Sequence, residues 1–371
     1  MDAHDSSLSG GCAFNQGDRL HGYVIDRLLG RGGLGAVYLV RHEVLDSFFA
    51  LKVLDPQMAA EKPEYVKRFV REAKLASKIR HPNLVAVHDA GFDESRGVYY
   101  LVMDYVQGST LRQAIALGGK MEDREAVRIV THVASALDAA QRFGMVHRDI
   151  KPENIMLMQD GTVKLIDLGV AKVAGGMDTL KTMENAVFGT PAYMAPEQAT
   201  DASAVDVRAD IYSLGVVFFE MLCGHHPYQG EEADHLVHKL LSPDPIPDVR
   251  VFNPDVSPKL SAVLSLMCAK RVDDRIPSPA ALLETFGRMG YRIPSFSAEY
   301  ADVKPDGNEM ISYGGAPGSA NRTLSFDTKD KDIQTFVGGL KRKRFRRRLL
   351  WAVCGAAFAT SLILLIVLLA G

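Results

Sequence analysis

The sequence predicts an α+β fold: a small strand-rich part, a larger helical part, and one apolar helix at the C-terminal end. Strand patterns with a glycine cluster occupy the stretch from Tyr23 to Met103. Helical periodicity takes over from Ser109 onward. Residues 349–370 then carry no charged side chain at all. With 371 residues the chain is long enough to bury a real core in two lobes and still carry appendages.

Charge is close to balanced, 43 Lys and Arg against 45 Asp and Glu, so net charge points to neither nucleic acid nor an acidic ligand. The balance hides a local asymmetry, since Lys341 to Arg348 reads KRKRFRRR. Cys12, Cys223, Cys268 and Cys354 show no CxxC or metal spacing and read as free thiols of a reducing compartment. Residues 1–21 hold acidic residues and no apolar core, which excludes a signal peptide and leaves a short disordered leader.

Taken in order, Tyr23 to Leu29 is a strand pattern, Gly30-Arg31-Gly32-Gly33-Leu34-Gly35 a turn, and Ala36 to Val40 a second strand. A dinucleotide-binding glycine turn opens a helix, and this one opens a strand. A Walker A loop is excluded because no Lys-Ser or Lys-Thr follows the glycines. What remains is a glycine hairpin, either ordinary or laid over phosphates. Phe48 to Leu54 is an apolar strand interrupted only by Lys52. Tyr65 to Ala76 is an amphipathic helix whose apolar positions are Val66, Phe69, Val70, Ala73 and Ala76. Glu72 lies beside that stripe, from where it can turn inward to meet Lys52. Pro82 in His81-Pro82-Asn83 is expected to end the helix. Further strands are expected at Leu84–His88 and Tyr99–Met103, and then Asp104 to Gly108 connects the two parts. Ser109–Leu117 and Asp123–Phe143 read as helices, the second with Asp123 as N-cap. From Ala209 a buried helix runs to Gly224, which closes it.

The chemistry concentrates in His147-Arg148-Asp149-Ile150-Lys151-Pro152-Glu153-Asn154 and in Asp167-Leu168-Gly169, which ends an apolar run from Val163 to Ile166. Phosphoryl transfer from a nucleotide needs such parts: a carboxylate for the hydroxyl proton, a cation beside the moving group, and oxygen ligands for magnesium. With the glycine turn, Lys52, Glu72, Ala195-Pro196-Glu197, Asp210 and Arg275, these motifs resemble a bacterial-type, eukaryotic-like serine/threonine protein kinase over Gly22 to Tyr291.

That resemblance implies a bilobal protein-kinase fold over residues 22–291 that uses ATP and Mg2+. Asp149 would receive or orient the substrate hydroxyl proton. Lys151 would steady the γ-phosphate, a lysine that points to serine and threonine over tyrosine, and Asn154 and Asp167 would hold magnesium. Leu29, Gly30, Arg31, Gly32, Gly33, Leu34, Gly35, Ala36 and Val37 would cover the nucleotide, and Glu72 would hold Lys52 on its phosphates. Val37 and Ala50 would roof the adenine, Met103 would be the gatekeeper, and Asp104 and Val106 would belong to the hinge; for Val37, Ala50 and Met103 plain core packing is an equal reading. Asp210 would brace the catalytic loop, and Arg275 would pair with Glu197. Two positions depart from the family pattern, Leu168 for a usual Phe and Leu34 for a common aromatic, both apolar for apolar.

Arg148 would dock a phosphate on the activation segment, with Thr179 and Thr182 the candidates, Thr182 preferred, and autophosphorylation in trans the expected route. Thr190 would position substrate against Asp149. Residues 292–340 read as a flexible linker, 341–348 as a basic juxtamembrane run, and 349–370 as a transmembrane helix of about 33 Å. The basic run places the catalytic part in the cytoplasm, at the inner membrane of a bacterium, and can attract anionic lipid. Gly355 and Ala359 form a small-xxx-small pair that would permit a homodimer. The expected partners are therefore protein substrates, ATP and the lipid bilayer. The competing readings are a membrane-tethered nucleotide-binding pseudokinase and, more weakly, a kinase of small molecules.

Overall fold

A computed structural model describes residues 14–32, 35–167, 191–200, 205–230 and 233–294. The disordered leader expected over residues 1–21 does not extend that far: Phe14 and Leu20 are buried in the core of the sheet, and Arg19–Leu20 form a strand. The expectations for residues 1–13, Gly33, Leu34, Leu168, Thr179, Thr182, Thr190, residues 295–340, the basic run and the apolar tail lie outside the described residues. Among the described residues no helix is long and apolar enough to cross a membrane.

The N-terminal part is a six-stranded sheet in the order β1-β2-β3-β4-β6-β5, antiparallel throughout. Its strands are β1 (Arg19–Leu20), β2 (Tyr23–Gly32), β3 (Gly35–His42), β4 (Phe48–Leu54), β5 (Val87–Asp93) and β6 (Val98–Asp104). Side chains alternate across a strand, so β4 sends Leu51 and Val53 to one face and Ala50, Lys52 and Leu54 to the other. The first face packs with Phe14, Tyr23, Ile25, Tyr38 and Tyr100 into a core of its own. The second, with Leu101 and Met103, packs on Phe69, Ala73 and Ala76 of a helix and joins the core of the helical part. Lys52 is thus aimed between sheet and helix by strand parity alone.

After a short helix α1 (Pro56–Glu61) comes α2 (Pro63–Ala76). It stops well before Pro82, because the amides of Lys78 and Ile79 reach back three residues to Leu75 and Ala76 at 3.1 Å, tightening the last turn, and Ile79 is buried. The strand expected at Leu84 begins only at Val87. Residues 83–85 are engaged elsewhere: Leu165 N donates to Asn83 O, Val85 N to Leu165 O, and Asn83 Nδ2 to Val163 O.

The helical part contains α3 (Leu111–Gly118), α4 (Asp123–Arg142), α5 (Pro196–Thr200), α6 (Val207–Cys223), α7 (Ala233–Leu241), α8 (Val249–Phe252), α9 (Pro258–Met267) and α10 (Pro279–Arg288). Thr110 and Gln113 form a capping box on α3. Glu122, not Asp123, is the N-cap of α4, and Asp123 sits in the first turn, where the helix dipole favours a carboxylate. Almost every residue of α6 is buried, and Gly224 ends it in the left-handed conformation at φ 79°. α4 and α10 pack together, and α6 lies against α4 and α9.

A second sheet joins β7 (Ser109–Thr110), β8 (Ile155–Leu157) and β9 (Val163–Leu165). Its β8–β9 hairpin pairs Ile155 with Leu165. Asn154 directly precedes one strand and Ile166-Asp167 directly follows the other, so antiparallel pairing brings two distant motifs side by side. The amide of Ile166 donates to Asn154 O at 2.8 Å.

Candidate active site

The loop after α4 turns at Gly144, φ 70°, and enters His147-Arg148-Asp149. Arg148 sits at φ 64°, a conformation that costs a non-glycine residue about 1–2 kcal/mol. Asp210, in the first turn of α6 and fully buried, supports it: His147 N donates to Asp210 Oδ2 at 2.8 Å and Arg148 N to Oδ1 at 2.7 Å. Burial pushes the Asp210 carboxyl up overall, against the pull of these two backbone donors. Gln198 donates to Arg148 O at 3.1 Å. His147 is buried and takes the amide of Asp149 on Nδ1 at 3.3 Å, so its Nε2 carries the ring proton and donates to Ile166 O at 3.2 Å.

This frame presents the Asp149 carboxylate to two partners. Lys151 Nζ lies 3.0 Å from Oδ2, and Asn154 Nδ2 donates to Oδ2 at 3.0 Å and to the Asp149 carbonyl at 2.8 Å. Burial works against the Lys151 ammonium, but Asp149 beside it raises its pKa overall. Because the Asn154 amide nitrogen faces Asp149, its Oδ1 is left as an oxygen donor. Asp167 stands at φ 55° and pairs with Lys52. Burial would raise the Asp167 carboxyl, but the Lys52 ammonium holds it below the usual range. Oxygens from Asn154 and Asp167 suit a hard cation that takes its other ligands from phosphate and water. Among the described residues no group of three or more His, Cys, Asp or Glu could hold a metal ion by itself.

The expected pair between Glu72 and Lys52 is not formed. Lys52 bonds Asp167 instead, and Glu72 Oε2 is buried without a hydrogen-bond partner. Burial pushes the Glu72 carboxyl up to about 7, against the pull of Arg148 first, then Arg68, Arg71 and Lys52. α2 therefore carries its carboxylate in an environment that favours the neutral form, and a neutral carboxyl does not compete with Asp167 for the ammonium.

Across β3, β4 and β6, Val37 pairs with Lys52 and Ala50 with Met103, so the residues expected around the adenine lie in register. The Asp104 amide donates to Ala86 O at 3.0 Å, which leaves its carbonyl as the group it can offer an adenine edge. Its side chain braces the connection through His88 at 2.7 Å and Lys164 at 3.3 Å. These partners outweigh burial and hold the Asp104 carboxyl down at about 2. In the glycine turn, Gly30 and Gly32 border open space, whereas Gly35 at φ 144° would bring a Cβ within 1.9 Å of Val53 O. Leu29, Arg31 and Gly32 are exposed, and Ala36 is buried between strands.

Arg275 and Glu197 meet as expected, at 2.5 and 3.0 Å, and Arg275 also donates to the carbonyls of Arg208 and Ala269. A further cluster went unread in the sequence. Arg112 of α3 donates to Glu153 at 2.8 Å, to Glu220 of α6 at 2.5 Å and to Tyr193, and Tyr193 donates to Glu220 at 2.5 Å. It ties the loop bearing Lys151 and Asn154 to the segment before α5. An arginine on a short helix looks solvated in sequence, and no spacing signals it.

A lysine aimed between the lobes, two oxygen side chains at the ends of one hairpin, and a loop carboxylate whose preceding backbone is held by a buried aspartate are the parts that phosphoryl transfer needs. The protein kinase domain family matches residues 23–286. The chain belongs to the protein kinase family. Relatives within it include bacterial serine/threonine kinases. PknB of Mycolicibacterium smegmatis is 37% identical over 262 residues, 70% of this chain and 41% of that protein. PrkC of Bacillus subtilis is 38% identical over 255 residues, 68% and 38% respectively. The chain thus matches only about two-fifths of the length of these relatives. The crystal structure of the Mycobacterium tuberculosis PknI kinase domain matches with a TM-score of 0.59 at 33% identity, covering 74% of this chain and 99% of that one. The kinase fold expected from the motifs is therefore the fold found.

Proposed function

We propose that this chain is a membrane-anchored serine/threonine protein kinase that transfers the γ-phosphoryl group of Mg-ATP to proteins. The observation that carries the chemistry is the junction at β8–β9, where Asp149, Lys151, Asn154, Asp167 and Lys52 converge. Asn154 and Asp167 would hold magnesium, which would supply positive charge to offset the charge that develops on the phosphates. Asp149 accepts the proton of the attacking hydroxyl. The hydroxyl oxygen gains the bond to phosphorus as the bond to the β-phosphate oxygen breaks, and ADP leaves. Lys151, adjacent to the carboxylate, stabilises the transferring group, and Lys52 steadies the nucleotide phosphates once released from Asp167.

The anchor rests on residues 349–370 and the basic run before them. Their pattern supports a single span with the kinase lobe in the cytoplasm. Arg148 directly precedes the catalytic carboxylate, and a cation there suits a phosphate on the activation segment, which supports activation by phosphorylation at Thr182. Copies tethered in one membrane would modify each other in trans.

The test is phosphate incorporation from labelled ATP with magnesium, beside Asp149→Asn and Lys52→Met, followed by mapping of the label. Label on serine or threonine is expected, reduced about 10²–10⁴-fold by Asp149→Asn. ATP binding with no transfer to any acceptor would instead make the chain a nucleotide-binding scaffold. Full activity of Thr182→Ala after phosphatase treatment would remove the activation proposal alone.

A further inference from the structure

The outer face of α2 carries a feature that catalysis does not use. Lys67, Arg71, Lys74 and Lys78 are all exposed. Their spacing of four, three and four residues confines them to an arc of roughly 60° along about 16 Å of helix and its C-terminal turn. Val70 and Leu75, half-buried, line one shallow hollow together with the four cations. Among the described residues none of the four makes an ion pair or a side-chain hydrogen bond. Arg19, Arg41 and Arg142, also exposed, each have a carboxylate partner. Glu72, the neighbour of Arg71 in the chain, is turned about 100° away from it, onto the inner side.

We infer that this stripe docks on an anionic lipid surface and that lipid contact sets the orientation of α2. Four exposed cations in a row, with two apolar side chains at their level, suit a plane of phosphate and carboxylate headgroups better than a single small anion, which would engage one or two of them. The inference rests on the membrane-anchored reading. Residues 292–340, which that reading takes as the connection to the anchor, would keep the lobe close to the bilayer and make weak surface contacts effective. Because α2 also bears Glu72, pinning its outer face biases the distance between Glu72 and Lys52. The stripe would thus connect lipid charge to the nucleotide site.

The test uses the full chain in nanodiscs of neutral phosphatidylcholine or with added phosphatidylserine, read by amide hydrogen exchange over residues 63–78. Exchange is expected to slow about tenfold in the anionic discs only. The quadruple variant Lys67→Ala, Arg71→Ala, Lys74→Ala, Lys78→Ala should abolish that slowing. Replacing only Lys67, Lys74 and Lys78 by arginine should preserve it. Alanine and arginine are both good helix formers, so neither variant is expected to unfold α2. Equal exchange in both lipids, as an acidic protein occupant would give, overturns the inference. So does a slowing that survives in the alanine variant, because the run at 341–348 would then be its cause. Extraction of the chain from vesicles by alkaline carbonate reports the anchor separately. A chain that is extracted but still shows stripe-dependent slowing on anionic vesicles would refute the span and keep the docking surface.

Discussion

The two sides of the nucleotide site are held in opposite ways. On the helical side, Asp210, His147, Gln198 and Asn154 fix Arg148 and Asp149 through bonds that are complete without any ligand. On the sheet side, Lys52 is bonded to Asp167, and one of only two buried side-chain oxygens without a partner among the described residues is Glu72 Oε2. A buried polar group with no partner costs about 1–3 kcal/mol, so the sheet side holds a local conflict that a shift of α2 can relieve. The helical side is built as a fixed template, while the sheet side is built to change partners. Catalytic competence then depends on moving one helix and leaves the proton acceptor in place.

If the helical side is the fixed template, breaking it should unfold the lobe and not merely retune it. Arg275 is fully buried and satisfied by Glu197 and two carbonyls, so Arg275→Ala leaves the Glu197 carboxylate uncompensated. Loss of about 3–5 kcal/mol is expected in urea denaturation. A loss below 1 kcal/mol would mean that this side is as adaptable as the other. Asp210→Asn is a milder probe of the same side. An amide offers one oxygen where two backbone donors need acceptors, so either His147 N or Arg148 N loses its bond, at about 1–3 kcal/mol. The positive φ of Arg148 is then unsupported, and kcat should fall while KM for ATP stays near its original value. A rise in KM with unchanged kcat would place Asp210 in nucleotide binding instead.

How much of this was legible in the sequence follows the same division. His147 to Asn154 and Asp167 were readable because their chemistry is local: a short loop fixes the residue types, and the β8–β9 hairpin supplies the one long-range step. Asp210, Glu197 and Arg275 were readable through the family resemblance, and the geometry agrees. The Glu72–Lys52 pair was expected and is absent, since sequence fixes which face of α2 Glu72 occupies but not how far the helix stands from the sheet. The start of β5 was misplaced for a related reason. Asn83 to Val85 bond β9 in the other lobe, a tertiary choice that overrides the strand propensity of Leu84 and Val85. Arg112 with Glu153, Tyr193 and Glu220 was invisible because four charged or phenolic residues scattered over more than a hundred positions carry no pattern.

The sheet side offers the subtler probe, since its conflict should titrate. The Glu72 carboxyl is pushed from an ordinary 4.5 to about 7, chiefly by burial. A raised carboxyl favours the neutral form, so Glu72 adds no penalty below its ordinary pKa. The penalty grows as pH rises from about 4.5 and is complete above about 7. The arrangement with Lys52 on Asp167 is therefore favoured at low pH, and an ionised Glu72 draws α2 toward the ammonium. In the wild type kcat/KM for ATP should rise through a limb near pH 7. In Glu72→Gln that limb should be missing and activity low throughout, and thermal stability relative to wild type should increase between pH 5 and pH 8. Parallel stability curves, or a limb that survives the substitution, would show that Glu72 is not the titrating group and that the movable side of the site is governed by something other than this charge.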